Sequence, residues 1–351
     1  MAAARGGQER RRGKDGSGRS SQTTARHRSR TGTRMSTRAF LGLSHTPLMG
    51  LNPIAVDVED KLQAGIAAAR DHVLAFAPDL VVLIAPDHYN GFFNELMPPF
   101  CIGTEAYSVG DYLSPEGPLN VDAQAALGLA THLMDHDFDA AISRRMKVDH
   151  GFAQSLQLVW GGLDTPPVVP VFVNAVAQPG IPRLRRCRAL GEAIGSFLDL
   201  SGRRVLLIGS GGLSHEPPVP TMAHPDPVVR ERITVRKETT VAERNAKTER
   251  VKAAGMALAS GTGTIKALNP EWDLDWMRLL AGGSEELDLL CSRSEESIER
   301  EAGLSAHESK SWLIGRSALS ATRPLHCAMQ HYQTIPEYIA GYGVMFLKDR
   351  S

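Results

Sequence analysis

The chain has 351 residues, 42% hydrophobic and 22% charged, enough apolar content to bury a sizeable core and too much for a wholly disordered polymer. Its 39 Lys+Arg balance 39 Asp+Glu, but ten of the basic residues and two of the acidic ones fall in residues 1–34, and taking these away leaves 29 basic against 37 acidic, a net −8. A body of that sign argues against a nucleic-acid partner, and no apolar run nears the roughly 18 to 20 residues of a bilayer span or follows the basic start as a secretory leader would.

Residues 1–34 are rich in Arg, Ser, Thr and Gly with almost no aliphatic content, so they cannot bury enough surface to offset their ordering entropy. They are expected to form a disordered basic extension upstream of a start at Met35. From Met35 onward, short apolar runs alternate with segments of helical period, the pattern of an α/β fold. Ala39–Leu43 reads as a buried strand. Leu62, Ile66, Ala69, Val73 and Phe76 step by four and three, which predicts one face of a helix ending near Pro78. Leu80–Ala85 is apolar on both faces and predicts a central strand. Pro167–Val173 is a similar run, but its two prolines predict an edge or irregular strand. Val205–Ile208 is a further strand, and the charged stretch from about 228 to 257 predicts a solvated helical excursion. The four cysteines (Cys101, Cys187, Cys291, Cys327) are far apart without a CxxC pair, which points to a reducing cytoplasm rather than a disulfide framework or zinc knuckle.

The histidines fall where such a fold concentrates its chemistry. His45 follows the first strand, His88 follows the second in Ala85-Pro86-Asp87-His88-Tyr89-Asn90, and His215 follows Val205–Ile208 through Gly209-Ser210-Gly211-Gly212-Leu213-Ser214. In open α/β sheets ligands bind beyond the carboxyl ends of the strands, so these three can meet in one cleft. A fourth, His150, lies in Val148-Asp149-His150-Gly151-Phe152, where Asp149 or a backbone group could orient the ring. A lone histidine is more often a satisfied core or surface residue; four beside Gly, Pro or Ser at strand ends form a pattern.

Leu304, Glu308, Trp312, Gly315 and Leu319 step by four and three, which predicts a helix with Glu308 on its apolar stripe. An inward carboxylate is costly unless paired or bound to a metal. Ser305-Ala306-His307-Glu308 is also an S-x-x-E capping box, in which Glu308 would serve only the helix start. Two imidazoles and a carboxylate make the facial triad of non-haem Fe(II) enzymes, although zinc hydrolases use the same donors, and a metal-stabilised binding protein could too. Gly209–Ser214 lacks the last glycine of G-x-G-x-x-G, no Walker lysine follows it, and no G-x-S-x-G elbow makes Ser210 a nucleophile.

Together, Leu43-Ser44-His45-Thr46-Pro47, Ala85-Pro86-Asp87-His88-Tyr89-Asn90-Gly91-Phe92-Phe93, Val148-Asp149-His150-Gly151-Phe152-Ala153-Gln154 and Gly209–Pro218 resemble the class III (LigB-type) extradiol ring-cleavage dioxygenases, from about Met35 through Ile335–Gly341. The resemblance implies a single catalytic domain over residues 35–351, with a central mixed sheet flanked by helices. It implies Fe(II) held by His45, His88 and Glu308, with Glu337 the other carboxylate near the C-terminus, and an acid/base pair of His150 and His215.

The implied chemistry is opening of a catechol by O₂ between a hydroxylated carbon and its non-hydroxylated neighbour, giving a yellow 2-hydroxy-6-oxo-dienoate with a second carboxylate derived from a propionate side chain. A catechol loses protons as it chelates a metal, a task assigned to His215 as base. Breaking the O–O bond calls for a proton donor, assigned to His150. The expected partners are a catecholic small molecule and O₂, with no nucleic acid and no membrane, in a homo-oligomer.

Overall fold

A computed structural model describes residues 37–199, 201–237, 240–319 and 325–349. The expected extension over residues 1–34 lies outside the described residues. In chain order the elements are β1 (Thr37–Leu43), α1 (Val56–Phe76), β2 (Leu80–Ala85), β3 (Phe100–Gly103), β4 (Ala106–Val109), β5 (Glu116–Pro118), α2 (Ala123–Asp135), β6 (Ala141–Ser143), β7 (Met146–Val148), α3 (His150–Trp160), β8 (Val168–Val173), α4 (Leu184–Asp199) and β9 (Arg204–Ser210). They continue with α5 (Pro227–Thr234), α6 (Val241–Ala259), α7 (Pro270–Ala281), α8 (Ser284–Cys291), α9 (Glu295–Ala302), a 3-10 turn (Leu304–Ser309), α10 (Lys310–Ser317), β10 (Leu325–Ile335), a second 3-10 turn (Pro336–Tyr338) and β11 (Ala340–Asp349).

Eight strands form one mixed sheet in the order β10-β11-β1-β9-β2-β8-β3-β6, and β5-β4-β7 form a smaller one. At its centre β1, β9, β2 and β8 run parallel, while β11 and β3 pair antiparallel to the outer members of that block. A parallel block must be covered on both faces, which is why its strands are apolar throughout. On one face Phe40, Val82, Ile84, Val169 and Leu207 pack with the apolar stripes of α2, α4, α7 and α10. On the other Leu41, Leu43, Leu83, Phe172 and Ile208 meet α1, α3 and Tyr342 of β11. The stepping stripe read from the sequence is the buried face of α1, since Leu62, Ile66, Ala69 and Val73 are all inside. Among the described residues no helix is long and apolar enough to cross a membrane.

Two expectations need correction. Pro167–Val173 is no edge: β8 is buried along its length between β2 and β3. Its proline is tolerated because of where the missing N–H would point. Val168 donates to Asn120 O on the β3 side of the strand, so by the alternation of backbone groups Pro170 faces that side too. The ladder with β3 covers only Val171 to Val173 and stops short of it. The stripe through Glu308 also starts later than expected, because Leu304 is 44% exposed. Leu304–Ser309 is a 3-10 turn, in which residues four apart no longer lie above one another. Only with α10 does the helical register bring Trp312 and Gly315 inward.

Candidate active site

Because β1, β9 and β2 run the same way, the chain leaves all three at one edge of the sheet, carrying His45, His215 and His88 with it. Each exit is held by its own polar fastening. After β1, Ser44 N donates to Gly343 O (2.9 Å) and Thr46 N to Gln154 Oε1 (2.8 Å). After β2, the buried Asp87 carboxylate accepts the amides of Asn90, Gly91 and Phe92 at 2.9 to 3.0 Å. A Cβ at Gly91 would strike the Lys147 carbonyl, so only glycine fits that turn. After β9, Ser214 N and Oγ both donate to Asp273 (2.6 and 2.7 Å), and His215 N donates to Ala302 O at 2.9 Å. A Cβ at Gly212 would meet the His215 ring.

The 3-10 turn delivers Glu308 into the middle of these loops, where its side chain is 1% exposed. His88 Nε2 lies 3.0 Å and His215 Nε2 3.1 Å from Glu308 Oε1, and His45 Nε2 lies 3.2 Å from Oε2. Gly212 N donates to Oε2 at 3.0 Å. No capping box forms at Ser305: Gly303 precedes the turn without a side-chain cap, and Glu308 faces the histidines instead.

Partners on the far side of each ring decide which nitrogen faces Glu308. Ser210 Oγ is 2.6 Å from Gly151 O, which can only accept, so the hydroxyl proton goes there. The Ser210 oxygen is then the acceptor for His45 Nδ1–H at 3.0 Å. His88 Nδ1 donates to Asp149 Oδ2 (3.0 Å) and His215 Nδ1 to Leu213 O (2.9 Å). All three rings therefore turn Nε2 toward one buried carboxylate. His45 Nε2 is buried there without a hydrogen-bond partner.

Electrostatics follow from this crowding. Burial opposes ionisation of Glu308, but His215, His45 and His88 outweigh it and hold the carboxyl well below its ordinary range. Burial likewise opposes charge on His88 and His215, yet Asp149 and Glu308 hold His88 well above its usual value, and Glu308 raises His215. For His45 burial wins and the value falls. Asp87 is pushed up to about 7 by burial and by Asp149.

His150, at the start of α3, forms a second wall. Its ring stacks on His88 with centroids 4.6 Å apart and meets His45 edge-on at 5.4 Å. These three offer ring nitrogens within 4.8 Å of one another, but Glu308 is in contact with His45, His88 and His215. Asp149 is not what orients His150. It caps α3 through Gly151 N and serves His88. Asp111 does orient it, accepting His150 N and Nδ1 at 2.7 Å each. Asp111 comes from a loop in which Gly110, Tyr112 and Leu113 all have positive φ (69°, 45° and 64°). Strained backbone of this kind concentrates at functional sites. It sets the Tyr112 ring edge-on against His150 at 5.2 Å.

Asp111, Tyr112, Ser210 and the true role of Asp149 were missed from the sequence; Gly110 before Asp111 was the available signal. Glu337, the other C-terminal carboxylate, lies on the Pro336–Tyr338 turn packed against α6. Arg316 is buried elsewhere, donating to Leu280 O (2.7 Å) and Gly282 O (2.6 Å), and Lys147 is exposed on β7.

Comparison with known proteins bears on this arrangement. A family described as "Catalytic LigB subunit of aromatic ring-opening dioxygenase" matches residues 39–344. A Comamonas testosteroni protein named "2,3-dihydroxyphenylpropionate/2,3-dihydroxicinnamic acid 1,2-dioxygenase" is 65% identical over 311 residues, 88% of this chain and 96% of that one. Proteins of the same name from Rhodococcus jostii and Paraburkholderia xenovorans are 46% and 48% identical, over 87% and 86% of this chain and 96% and 95% of theirs.

Proposed function

The chain belongs to the family of catalytic LigB subunits of aromatic ring-opening dioxygenases and is a class III extradiol, ring-cleaving enzyme; from that premise we propose that it opens 2,3-dihydroxyphenylpropionate, and 2,3-dihydroxycinnamate, with Fe(II) and O₂ to 2-hydroxy-6-oxonona-2,4-dienedioate and the corresponding product of the cinnamate. The substrate rests on the relatives' names. Ring opening sets aside the hydrolase and the binding protein that the same donors would serve.

The observation that carries the iron reading is the set of Nε2 atoms around Glu308. A buried carboxylate among three imidazoles demands positive charge, and the orphaned Nε2 of His45 offers a lone pair toward the same point. Glu308 raises His88 and His215 for that reason, and a divalent cation among these donors would meet the same demand. His45, His88 and Glu308 would hold Fe(II), an N₂O set suited to it. The chemistry that Fe(II) supplies when bound is chelation of both catechol oxygens and activation of O₂ beside the ring.

His215 and His150 then differ in what stands behind them. His215 is backed by the neutral Leu213 carbonyl and turns Nε2 toward Glu308, so a catechol bound to a metal on that carboxylate would bring a hydroxyl within its reach. It takes the substrate proton. His150 is backed by the Asp111 carboxylate, which fixes the orientation of the ring that gives a proton to a departing oxygen. The two walls of histidine orient the catechol between them.

The test is oxygen uptake by protein loaded anaerobically with Fe(II). With 2,3-dihydroxyphenylpropionate it should consume one O₂ per catechol and turn yellow, and Zn(II)-loaded protein should do neither. Absence of uptake with Fe(II), or equal turnover with Zn(II), refutes the reading.

A further inference from the structure

A catechol with a carboxylate tail poses a charge problem in this site. Asp111, Asp149 and Glu308 already face the histidines, so the tail must leave the acidic centre and meet a cation. Three other cations are engaged or turned away: Arg316 holds backbone carbonyls, Arg236 donates to Gly91 O, and Lys147 is exposed on β7. A cleft of about 720 Å³ that Tyr112 also lines carries Glu59 and Asp60 and would repel an anion.

Helix α6 presents the alternative. Its buried residues are Val251 and Gly255, and Lys247 lies one turn earlier on the same stripe, so it faces the body of the protein. The helix is closely seated: Asn52 Nδ2 donates to Lys252 O (3.0 Å) and to Glu337 O (2.8 Å), tying α6 to the Pro336–Tyr338 turn. Lys247 is half-buried, with Nζ 5.9 Å from the centroid of the Tyr112 ring. That ring is itself 5.2 Å from His150. Arg250, three residues on and so adjacent on the helix surface, also acts on Tyr112 electrostatically. Among the described residues neither cation has a carboxylate within 4.0 Å, whereas Lys252 of the same helix is paired with Glu249 at 2.9 Å. A propionate tail extends roughly 4 Å from the catechol ring, three C–C bonds at about 1.5 Å, a reach comparable to the 5.2 Å between the His150 and Tyr112 rings.

We propose that Lys247, with Arg250 beside it, binds the carboxylate of the substrate's side chain, so that α6 selects catechols bearing an anionic tail. Tyr112 keeps the ammonium at the rim by cation–π attraction while it walls the acid His150. The proposal deepens the substrate assignment above and rests on it.

The test compares kcat/KM for 2,3-dihydroxyphenylpropionate with that for 3-propylcatechol, which has the tail but no charge, in Fe(II)-loaded wild-type, Lys247→Met and Lys247→Glu proteins. Met keeps the apolar stem over Tyr112. The preference for the carboxylated catechol should fall about ten-fold or more in Lys247→Met, mainly through KM, and further in Lys247→Glu, as loss of a charge-assisted contact implies. Arg250→Met should lower it less. Calorimetric binding of 3-phenylpropionate, which cannot chelate, should weaken in parallel. If both substrates suffer equally, or neither does, Lys247 is not the carboxylate site, although the substrate assignment stands. If the wild-type protein shows no preference for the carboxylated catechol, the assignment itself falls and the proposal with it.

Discussion

The Ser210 hydroxyl stands between the Gly151 carbonyl, 2.6 Å away, and His45 Nδ1, 3.0 Å away, and thereby sets which nitrogen of His45 carries the proton. Ser210→Ala would leave a buried N–H without a partner, a loss of about 1–3 kcal/mol, and would free the ring to turn or change tautomer. Fe(II) or Co(II) affinity should drop about ten- to a hundred-fold, as for other residues that orient metal-bound histidines, while the far-ultraviolet spectrum stays native. Unchanged metal affinity in that variant would show that His45 needs no such support.

Glu308→Gln keeps an oxygen for the Gly212 amide but removes the anion facing three rings. Metal binding and ring cleavage should both be lost. His45→Ala and His88→Ala should behave alike, because both rings sit at loop exits rather than in the apolar layers. Full iron occupancy in His88→Ala would sink the ligand assignment, and wild-type turnover in Glu308→Gln would remove Glu308 from it.

The proposed division of labour between His215 and His150 predicts different pH–rate profiles. His215→Ala should recover in part at high pH, where catechol ionises without help, and His150→Ala should not. Asp111→Asn, by removing the anion behind His150, should lower kcat while substrate binding, followed spectroscopically, persists. High-pH recovery confined to His150→Ala would mean the roles are reversed.

His307 offers a pH prediction about stability. Nε2 meets Glu299 Oε1 at 3.0 Å, and the buried Nδ1 has no partner, so a second proton would be stranded. Burial and the Lys310 charge lower the ring to about 3, from an ordinary 6.5. The unfolded chain therefore binds a proton that the folded one refuses, and stability is lost as pH falls from 6.5 toward 3. His307→Gln removes that proton, so its unfolding free energy should decline less steeply by about 1.4 kcal/mol per pH unit over that window. Parallel slopes for the two proteins would contradict the assignment.

The local features were legible in short stretches of sequence. Alternating apolar runs named β1, β2 and β9, the four-and-three stepping named the buried face of α1, and the punctuation by Gly, Pro and Ser after each strand marked where the histidines leave the sheet. These signals are local because burial on both faces and helical period are written in consecutive residues. The partners of the site residues emerge from the folded chain alone. Asp111 is 39 residues from His150, Ser210 is 165 from His45, and Glu308 is 220 from His88; no short-range pattern marks such pairs. Pro170 misled for the same reason, since whether a missing N–H matters depends on where the neighbouring strand ends. Glu308 could be read as a cap or as an inward charge until the 3-10 turn and the parallel order of β1, β9 and β2 brought three imidazoles to it. A side chain's chemistry is set by the groups within a few ångströms, and in this sheet those groups come from strands and turns far apart in the chain.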